Sequence, residues 1–103
     1  MHMTKVAIVG ASGYAGAELI RIIHAHPHFE LGVIAAGSNA GSTLAQVHPQ
    51  FSSVPELVGK VFADSTPQAL AGHDLVFLAL PHGQSAELIA QLPTELLSRV
   101  LMP

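Results

Sequence analysis

Three glycines, at positions 10, 13 and 16, follow a short apolar run from Lys5 to Val9 and precede an amphipathic stretch. This order of strand, turn and helix aims free backbone N–H groups and a helix N-terminus at one point, where a pyrophosphate binds. Gly10 allows a sharp exit from the strand, Gly13 leaves space for a diphosphate, and Gly16 lets the helix pack closely. The spacing predicts dinucleotide binding, although glycines so spaced also occur in ordinary turns.

Further donors surround this turn. Ser12 carries a hydroxyl group, and the backbone N–H groups of Tyr14 and Ala15 stand at the start of the helix, where a phosphate can accept their hydrogen bonds. Tyr14 also has a simpler interpretation, in which its ring packs over the helix start with the hydroxyl at the surface.

The residues after the predicted second strand, Glu30 to Ala36, bear on the choice between NAD and NADP. An NAD site usually places a carboxylate there to bind the ribose 2′-hydroxyl, and none is present in the loop of residues 37–43. Neutral side chains and flexible glycines in this loop favour NADP, although it is also compatible with a plain connector. The candidate donors are Ser38, Asn39, Ser42 and Thr43.

A second turn follows the apolar run from Leu75 to Leu80, which predicts a strand buried on both faces. Pro81 fixes the direction of the backbone and Gly83 opens the next helix. Such a turn can lie under the nicotinamide ring and its ribose. His82 either contacts the cofactor or substrate there or is a loop residue without a role.

The alternation of strands and helices predicts an α/β fold, a doubly wound parallel sheet of the Rossmann-like type with strand order 3-2-1-4. The third strand of that order is the weakly patterned segment from Val58 to Ala63. Leu96 to Met102 is compatible with a fifth strand or a short helix. Since Leu75 to Leu80 would otherwise be a bare edge, we expect the tail to pair there or two chains to dimerise there. The predicted helices are Ala15 to Ala25, Pro67 to Ala71 and Ser85 to Leu92.

Composition excludes several classes of function. The 103 residues suffice for one domain, and a net charge of −3 with only four Lys and Arg argues against nucleic-acid binding. No residue is cysteine, which excludes disulfides and thiol catalysis within the chain. The apolar runs are too short to span a membrane and no signal peptide is evident, so we expect cytoplasmic residence.

Seven histidines raise the question of a metal site. His24, His26 and His28 alternate, but Pro27 breaks the helix that would place two of them on one face, so no metal site is expected. His48 and His73 are interpreted as loop residues. No Ser-His-Asp arrangement is evident, and no catalytic residue is assigned.

Four segments together resemble N-acetyl-gamma-glutamyl-phosphate reductases, a family of oxidoreductases in arginine biosynthesis: Gly10 to Leu19, Ala35 to Ser38, His48 to Phe51 and Phe77 to Gly83. The resemblance implies NADPH-dependent reduction of an acyl phosphate to an aldehyde through a cysteine thioester, with a histidine as acid and base. Only cofactor-binding positions carry over to this chain: Gly10, Ser12, Gly13, Tyr14, Ala15, Ser38, Pro81, His82 and Gly83.

The cysteine and the catalytic histidine of the family lie beyond residue 103, as does the part that binds substrate and builds a homo-oligomer. We therefore expect residues 1–103 to be the dinucleotide-binding domain of a larger two-domain enzyme, inactive alone. Three alternatives remain: another semialdehyde dehydrogenase, a non-catalytic nucleotide-binding module, and an extended short-chain dehydrogenase. The last requires a Tyr-x-x-x-Lys pair, and the sequence contains a single tyrosine.

Overall fold

The computed structural model of the chain describes residues 3–80, 87–93, 96 and 98–101. Its strands are β1 (Thr4–Val9), β2 (Phe29–Ala35), β3 (Leu75–Leu78) and β4 (Val100–Leu101). Its helices are α1 (Tyr14–Ala25), α2 (Leu44–Val47) and α3 (Pro67–Leu70), with a 3₁₀ turn over Pro49–Phe51 and helical residues at 87–89. None of the helices in these ranges is long and apolar enough to cross a membrane.

The strands form one parallel sheet in the order β2-β1-β3-β4. β1 lies inside the sheet, and its residues 6–9 are fully buried. Because successive side chains point to opposite faces, Val6 and Ile8 join the apolar cluster that includes α1. Ala7 and Val9 join a second cluster that contains Leu70, Leu88, Leu92 and Leu96. Both faces are therefore covered, and the prediction of a parallel α/β sheet is confirmed.

Helix α1 packs on this sheet through the apolar stripe predicted from the sequence. Ile20 and Ile23 are 0% and 2% exposed, and Leu19 is partly buried against the same cluster. Full burial of an isoleucine side chain such as Ile20 or Ile23 contributes about 1.5–3 kcal/mol. The helix begins at Tyr14, one residue earlier than predicted, and ends at Ala25, before Pro27.

The expected strand from Val58 to Ala63 is not formed, so the strand order 3-2-1-4 is not confirmed. Only two isolated bridges involve this segment: Ala63 pairs in parallel with Ala35, and Val61 pairs antiparallel with Thr43. Ala63 donates its N–H to the Ile34 carbonyl of β2 (2.9 Å), whereas the backbone groups of Phe62 pair with the loop after β2. Phe62 accepts from Gly41 N–H (2.8 Å) and donates to the Ser42 carbonyl (2.9 Å).

At the other side of the sheet, the tail lies beside the strand that it was expected to cover. Val100 and Leu101 pair in parallel with Val76 and Phe77 of β3. The backbone N–H of Val76 donates to the Arg99 carbonyl (2.9 Å), and the guanidinium of Arg99 donates to the His73 carbonyl (3.1 Å). Of the two alternatives expected for this edge, pairing with the tail and dimerisation of two chains, the structure shows pairing with the tail.

Short helix α3 forms where the sequence predicted it. Thr66 is its N-cap, with the side-chain hydroxyl accepting from Ala69 N–H (3.2 Å), and Pro67 occupies the first helical position. Gly72 follows with a φ of +84°, a conformation that favours glycine. Of the helix predicted from Ser85 to Leu92, the described part is helical at residues 87–89.

Candidate dinucleotide-binding site

The turn after β1 is fixed to both neighbouring strands. The backbone N–H groups of Gly10 and Ala11 both donate to the carbonyl of Ala35, at 2.9 and 3.0 Å. Gly10 has a φ of +79°, and a Cβ placed there would lie 2.6 Å from the carbonyl oxygen of Ala79. Glycine is therefore required at position 10 by backbone conformation and by close contact with the end of β3.

Gly16 meets a different requirement, the close approach of α1 to the turn. A Cβ at this position would lie 2.5 Å from the Cα of Ala11 and 2.6 Å from the carbonyl oxygen of Gly10. Any side chain would push the first turn of α1 away from the strand. The packing role predicted for Gly16 is confirmed.

Gly13 is not required by the protein itself. Its backbone is extended (φ −88°, ψ 179°), which any residue adopts, and the nearest described atom to a Cβ there would be 3.8 Å away. A side chain at Gly13 would instead occupy the open space in front of α1. A glycine at this position therefore keeps a cradle open beside the backbone, as a diphosphate needs.

The N-terminus of α1 offers donors to that cradle. Among the residues that the structure describes, none accepts a hydrogen bond from the backbone N–H of Ser12, Tyr14 or Ala15. No side chain caps the helix, and its first turn carries no acidic residue. Because unpaired N–H groups and the helix dipole both favour negative charge, the local chemistry fits a phosphate.

The carboxyl ends of three strands meet around this cradle. A cavity of about 260 Å³ is lined by Gly10, Ser12 and Gly13 after β1, Gly37 and Ser38 after β2, and Ala79 and Leu80 after β3. Four predicted residues thus line one cleft: Gly10, Ser12, Gly13 and Ser38. Pro81, His82 and Gly83 lie outside the described residues, directly after Leu80.

The loop after β2 is partly engaged in local structure. Thr43 caps α2, with its hydroxyl accepting from Gln46 N–H (3.3 Å) while the Gln46 amide oxygen accepts from Thr43 N–H (2.8 Å). Thr43 was a candidate anion donor, and its hydroxyl instead serves this capping box. Ser38 is exposed at the cleft, and a Cβ at Gly37 would meet no described atom within 4 Å. The part of the loop that remains open to the cleft is therefore its first two residues, Gly37 and Ser38.

A carboxylate lies near that open part, although it is distant in sequence. Glu87 lines a second cavity of about 440 Å³ together with Gly37, Ser65, Leu80, Leu88 and Gln91. The loop itself contains no acid, but Glu87 lines a cavity that shares Gly37 and Leu80 with the cleft. Sequence spacing gave no signal for it, since Glu87 belongs to the segment after β3.

His48 is a residue of the site that the sequence interpretation missed. It is buried (7% exposed), it ends α2, and its Nε2 lies 2.9 Å from the carbonyl oxygen of Ala11. Since a carbonyl only accepts, Nε2 carries the hydrogen. The rings of Phe51 and Phe62 face the imidazole edge-on, and His48 shares a cavity of about 240 Å³ with Ser12, Gly13, Tyr14 and Val47. His48 does lie in a loop, between α2 and the 3₁₀ turn, but the sequence interpretation did not foresee its burial or its bond to Ala11.

His73 is also buried, but it has a structural role. β2 bulges opposite β1, and the freed backbone N–H of Val33 donates to Nε2 of His73 (3.0 Å). Nδ1 lies 3.0 Å from the carbonyl oxygen of Leu70, so it must carry the ring hydrogen. Gly32 makes room for this ring, because a Cβ there would collide with it. The interpretation of His73 as a simple loop residue was incomplete for this reason.

Tyr14 and the alternating histidines have clear placements. Tyr14 is 97% exposed, so its ring does not pack over the described start of α1. His26 stacks on Phe29 with ring centroids 4.3 Å apart, and its Nδ1 accepts from His28 N–H (3.1 Å). Within the described ranges, no three His, Asp or Glu side chains come together as metal ligands.

A parallel sheet covered on both faces, with a glycine turn between β1 and α1 and a cleft at the strand ends, defines a Rossmann-like dinucleotide-binding protein. Residues 5–98 match the family described as the NAD-binding domain of semialdehyde dehydrogenase, and the chain belongs to that family.

Individual relatives and a solved structure extend this assignment. The N-acetyl-gamma-glutamyl-phosphate reductase of Thermobifida fusca (strain YX) is 50% identical over 91 residues, covering 88% of this chain and 26% of that protein. The protein of the same name from Salinispora arenicola (strain CNS-205) is 57% identical over 91 residues, covering 86% and 26%. The chain thus spans about a quarter of the length of these relatives.

The fold is similar to that of a solved aspartate semialdehyde dehydrogenase with NADP from Candida albicans. The TM-score is 0.75 at 24% identity, covering 86% of this chain and 26% of that one.

Proposed function

We propose that the chain is the NADP(H)-binding domain of an N-acetyl-gamma-glutamyl-phosphate reductase, which reduces an acyl phosphate to an aldehyde. The observation that carries the proposal is the cleft that joins the glycine turn with Ser38 and Leu80. The identities of 50% and 57% to reductases of that name support the choice within the family.

In this proposal, the first turn binds the diphosphate. The free N–H groups of Ser12, Tyr14 and Ala15 donate to its oxygens, the Ser12 hydroxyl adds a donor, and Gly13 leaves the necessary space. Gly10 and Gly16 hold the turn in place through their close backbone contacts.

The other two strand ends bind the two ends of the nucleotide. Ser38, in a loop without a carboxylate, is proposed to bind the 2′-phosphate of the adenosine ribose. Pro81, His82 and Gly83 are proposed to lie beside the nicotinamide and its ribose. When bound, NADPH supplies the hydride, and these residues hold and orient its ring.

The remaining chemistry needs groups outside residues 1–103. A thioester route requires a thiolate, and the sequence contains no cysteine. We therefore propose that the chain is part of a longer two-domain protein. Alone, residues 1–103 are expected to show no reductase turnover. Cytoplasmic residence and homo-oligomeric assembly belong to the same proposal.

Calorimetric titration of the chain with NADPH and with NADH tests the proposal. We expect tighter binding of NADPH, and we expect Gly13→Val to abolish it by filling the cradle. The matched control is Gly59→Val, because a Cβ at Gly59 meets no described atom within 4 Å and lies outside the cleft. Equal and weak binding of both nucleotides, or equal effects of the two valines, would contradict the proposal.

A further inference from the structure

A separate cavity of about 430 Å³ lies away from the glycine turn, along β2 and toward the beginning of β1. It is lined by residues 30–34 of β2, by Lys5 of β1, by Lys60, Val61 and Ala63 of the segment beside β2, and by His73. None of these residues lines the cleft of the proposed nucleotide site. The cavity therefore needs its own explanation.

Positive charge is concentrated in this cavity. The sequence contains four Lys and Arg, and Lys5 and Lys60 both line this one space, with Glu30 as the single acid. Among the described residues, no carboxylate lies within 4.0 Å of the Lys60 ammonium. Arg21, in contrast, forms an ion pair with Glu18. Two lysines thus line one cavity in a chain whose net charge is −3.

The surroundings of Lys60 disfavour its charged form. Lys60 is half-buried, and this burial, followed by the charge of Lys5, lowers its pKa, while Glu30 opposes the shift only in part. His73 cannot relieve the charge, because both of its ring nitrogens already have backbone partners. A negatively charged group placed between the two lysines would offset both the desolvation and the mutual repulsion.

We propose that this cavity is a binding site for a small oxyanion, held by the ammonium groups of Lys60 and Lys5. The class is defined by charge-assisted hydrogen bonds from two lysines to phosphate, sulfate or carboxylate oxygens. Glu30 opposes such an anion, so occupancy depends on both lysines together. Val61, which is 51% exposed, leaves the mouth of the cavity apolar on one side.

Titration of the ¹⁵N-labelled chain with inorganic phosphate, at constant ionic strength maintained with sodium chloride, tests the site. We expect saturable shifts of the amide signals of Gly32, Val33, Val61 and Ala63. Lys60→Gln should weaken phosphate binding and raise its dissociation constant about tenfold, which is the effect of losing one charge-assisted hydrogen bond.

Two further variants control for charge and folding. Arg21→Gln removes the same charge from an exposed position on α1 and should change the constant less than about twofold. Glu30→Gln should tighten phosphate binding. This opposite direction keeps the test decisive even if Lys60→Gln fails to fold.

The outcomes separate this site from the nucleotide cleft. Phosphate shifts confined to Ser12, Gly13, Tyr14 and Ala15 would overturn the oxyanion site and leave the proposed function standing. Shifts that chloride alone reproduces, or that Lys60→Gln and Arg21→Gln weaken equally, would show general screening and overturn it as well. Failure of NADPH to bind, with the Gly32 and Ala63 shifts present, would count against the proposed function only.

Discussion

The Nε2 atom of His48 lies 2.9 Å from the carbonyl oxygen of Ala11, across 37 residues of sequence. Ala11 in turn donates its N–H to the Ala35 carbonyl (3.0 Å), so β2 and the imidazole both hold the turn at this residue. His48 is therefore a positioning residue: it acts on the turn through Ala11.

Replacement of His48 by alanine should loosen the glycine turn and weaken NADPH binding. A buried hydrogen bond contributes about 0.5–1.5 kcal/mol, so the dissociation constant should rise about twofold to twelvefold. Calorimetry with NADPH measures this change, and amide hydrogen exchange at Ser12 and Gly13 should accelerate in parallel. A merely structural role would lower stability and leave the dissociation constant unchanged in the folded fraction.

The matched control for that variant is His24→Ala. His24 is exposed in the last turn of α1, on the far end of the helix from the phosphate turn. We expect no change in NADPH affinity, which would exclude a general effect of removing an imidazole.

Gly10→Ala should destabilise the chain more than Gly41→Ala does. Both glycines have positive φ, +79° and +92°, so each substitution pays a conformational penalty of about 1–2 kcal/mol. Only at Gly10 does the new methyl group also meet backbone, at 2.6 Å from the Ala79 carbonyl oxygen, whereas Gly41 faces open space. Urea unfolding measures the difference, and equal losses for the two variants would show that the contact with Ala79 is unimportant.

Local signals predicted the elements that position the candidate site, whereas contacts between residues distant in sequence could not be predicted. The turn from Gly10 to Gly16, helix α1 and the Thr66 cap could be predicted because each depends on residues within a few positions. The segment from Val58 to Ala63 could not, because Phe62 pairs with the loop at Gly41 and Ser42 and only Ala63 pairs with β2. The burial of His73 likewise depends on Val33, 40 residues away.

The stability of the chain should increase as the pH rises toward 10.5, the usual pKa of lysine. Burial and then Lys5 lower the pKa of Lys60 in the folded chain, with Glu30 opposing, so the folded state releases this proton first. The unfolded state binds more protons between the lowered pKa and 10.5, and stability rises through that window. Below the window the ammonium is charged in both states and its burial disfavours folding.

Lys60→Gln isolates this contribution from other groups that titrate at high pH. Measured in oxyanion-free chloride buffers, the variant should be the more stable protein at neutral pH, and its advantage should shrink as the pH rises. Lys5, Glu30 and His73 face the same cavity and are unchanged in this comparison. A constant difference across the pH range would contradict the lowered pKa of Lys60.

Glu87→Gln should shift the cofactor preference further toward NADPH. The Glu87 carboxylate lines a cavity with Gly37, next to Ser38, where the 2′-phosphate of NADPH is proposed to lie. Removing this charge relieves repulsion at an exposed position, so NADPH should bind about twofold to fivefold more tightly, with NADH nearly unchanged. Because such repulsion is screened by salt, the gain should shrink when ionic strength rises.

The matched control is Glu56→Gln. It removes an exposed acid that lines neither of these cavities, and it should have no effect on the affinity for either nucleotide. An equal gain for NADPH and NADH would place Glu87 away from the 2′-phosphate.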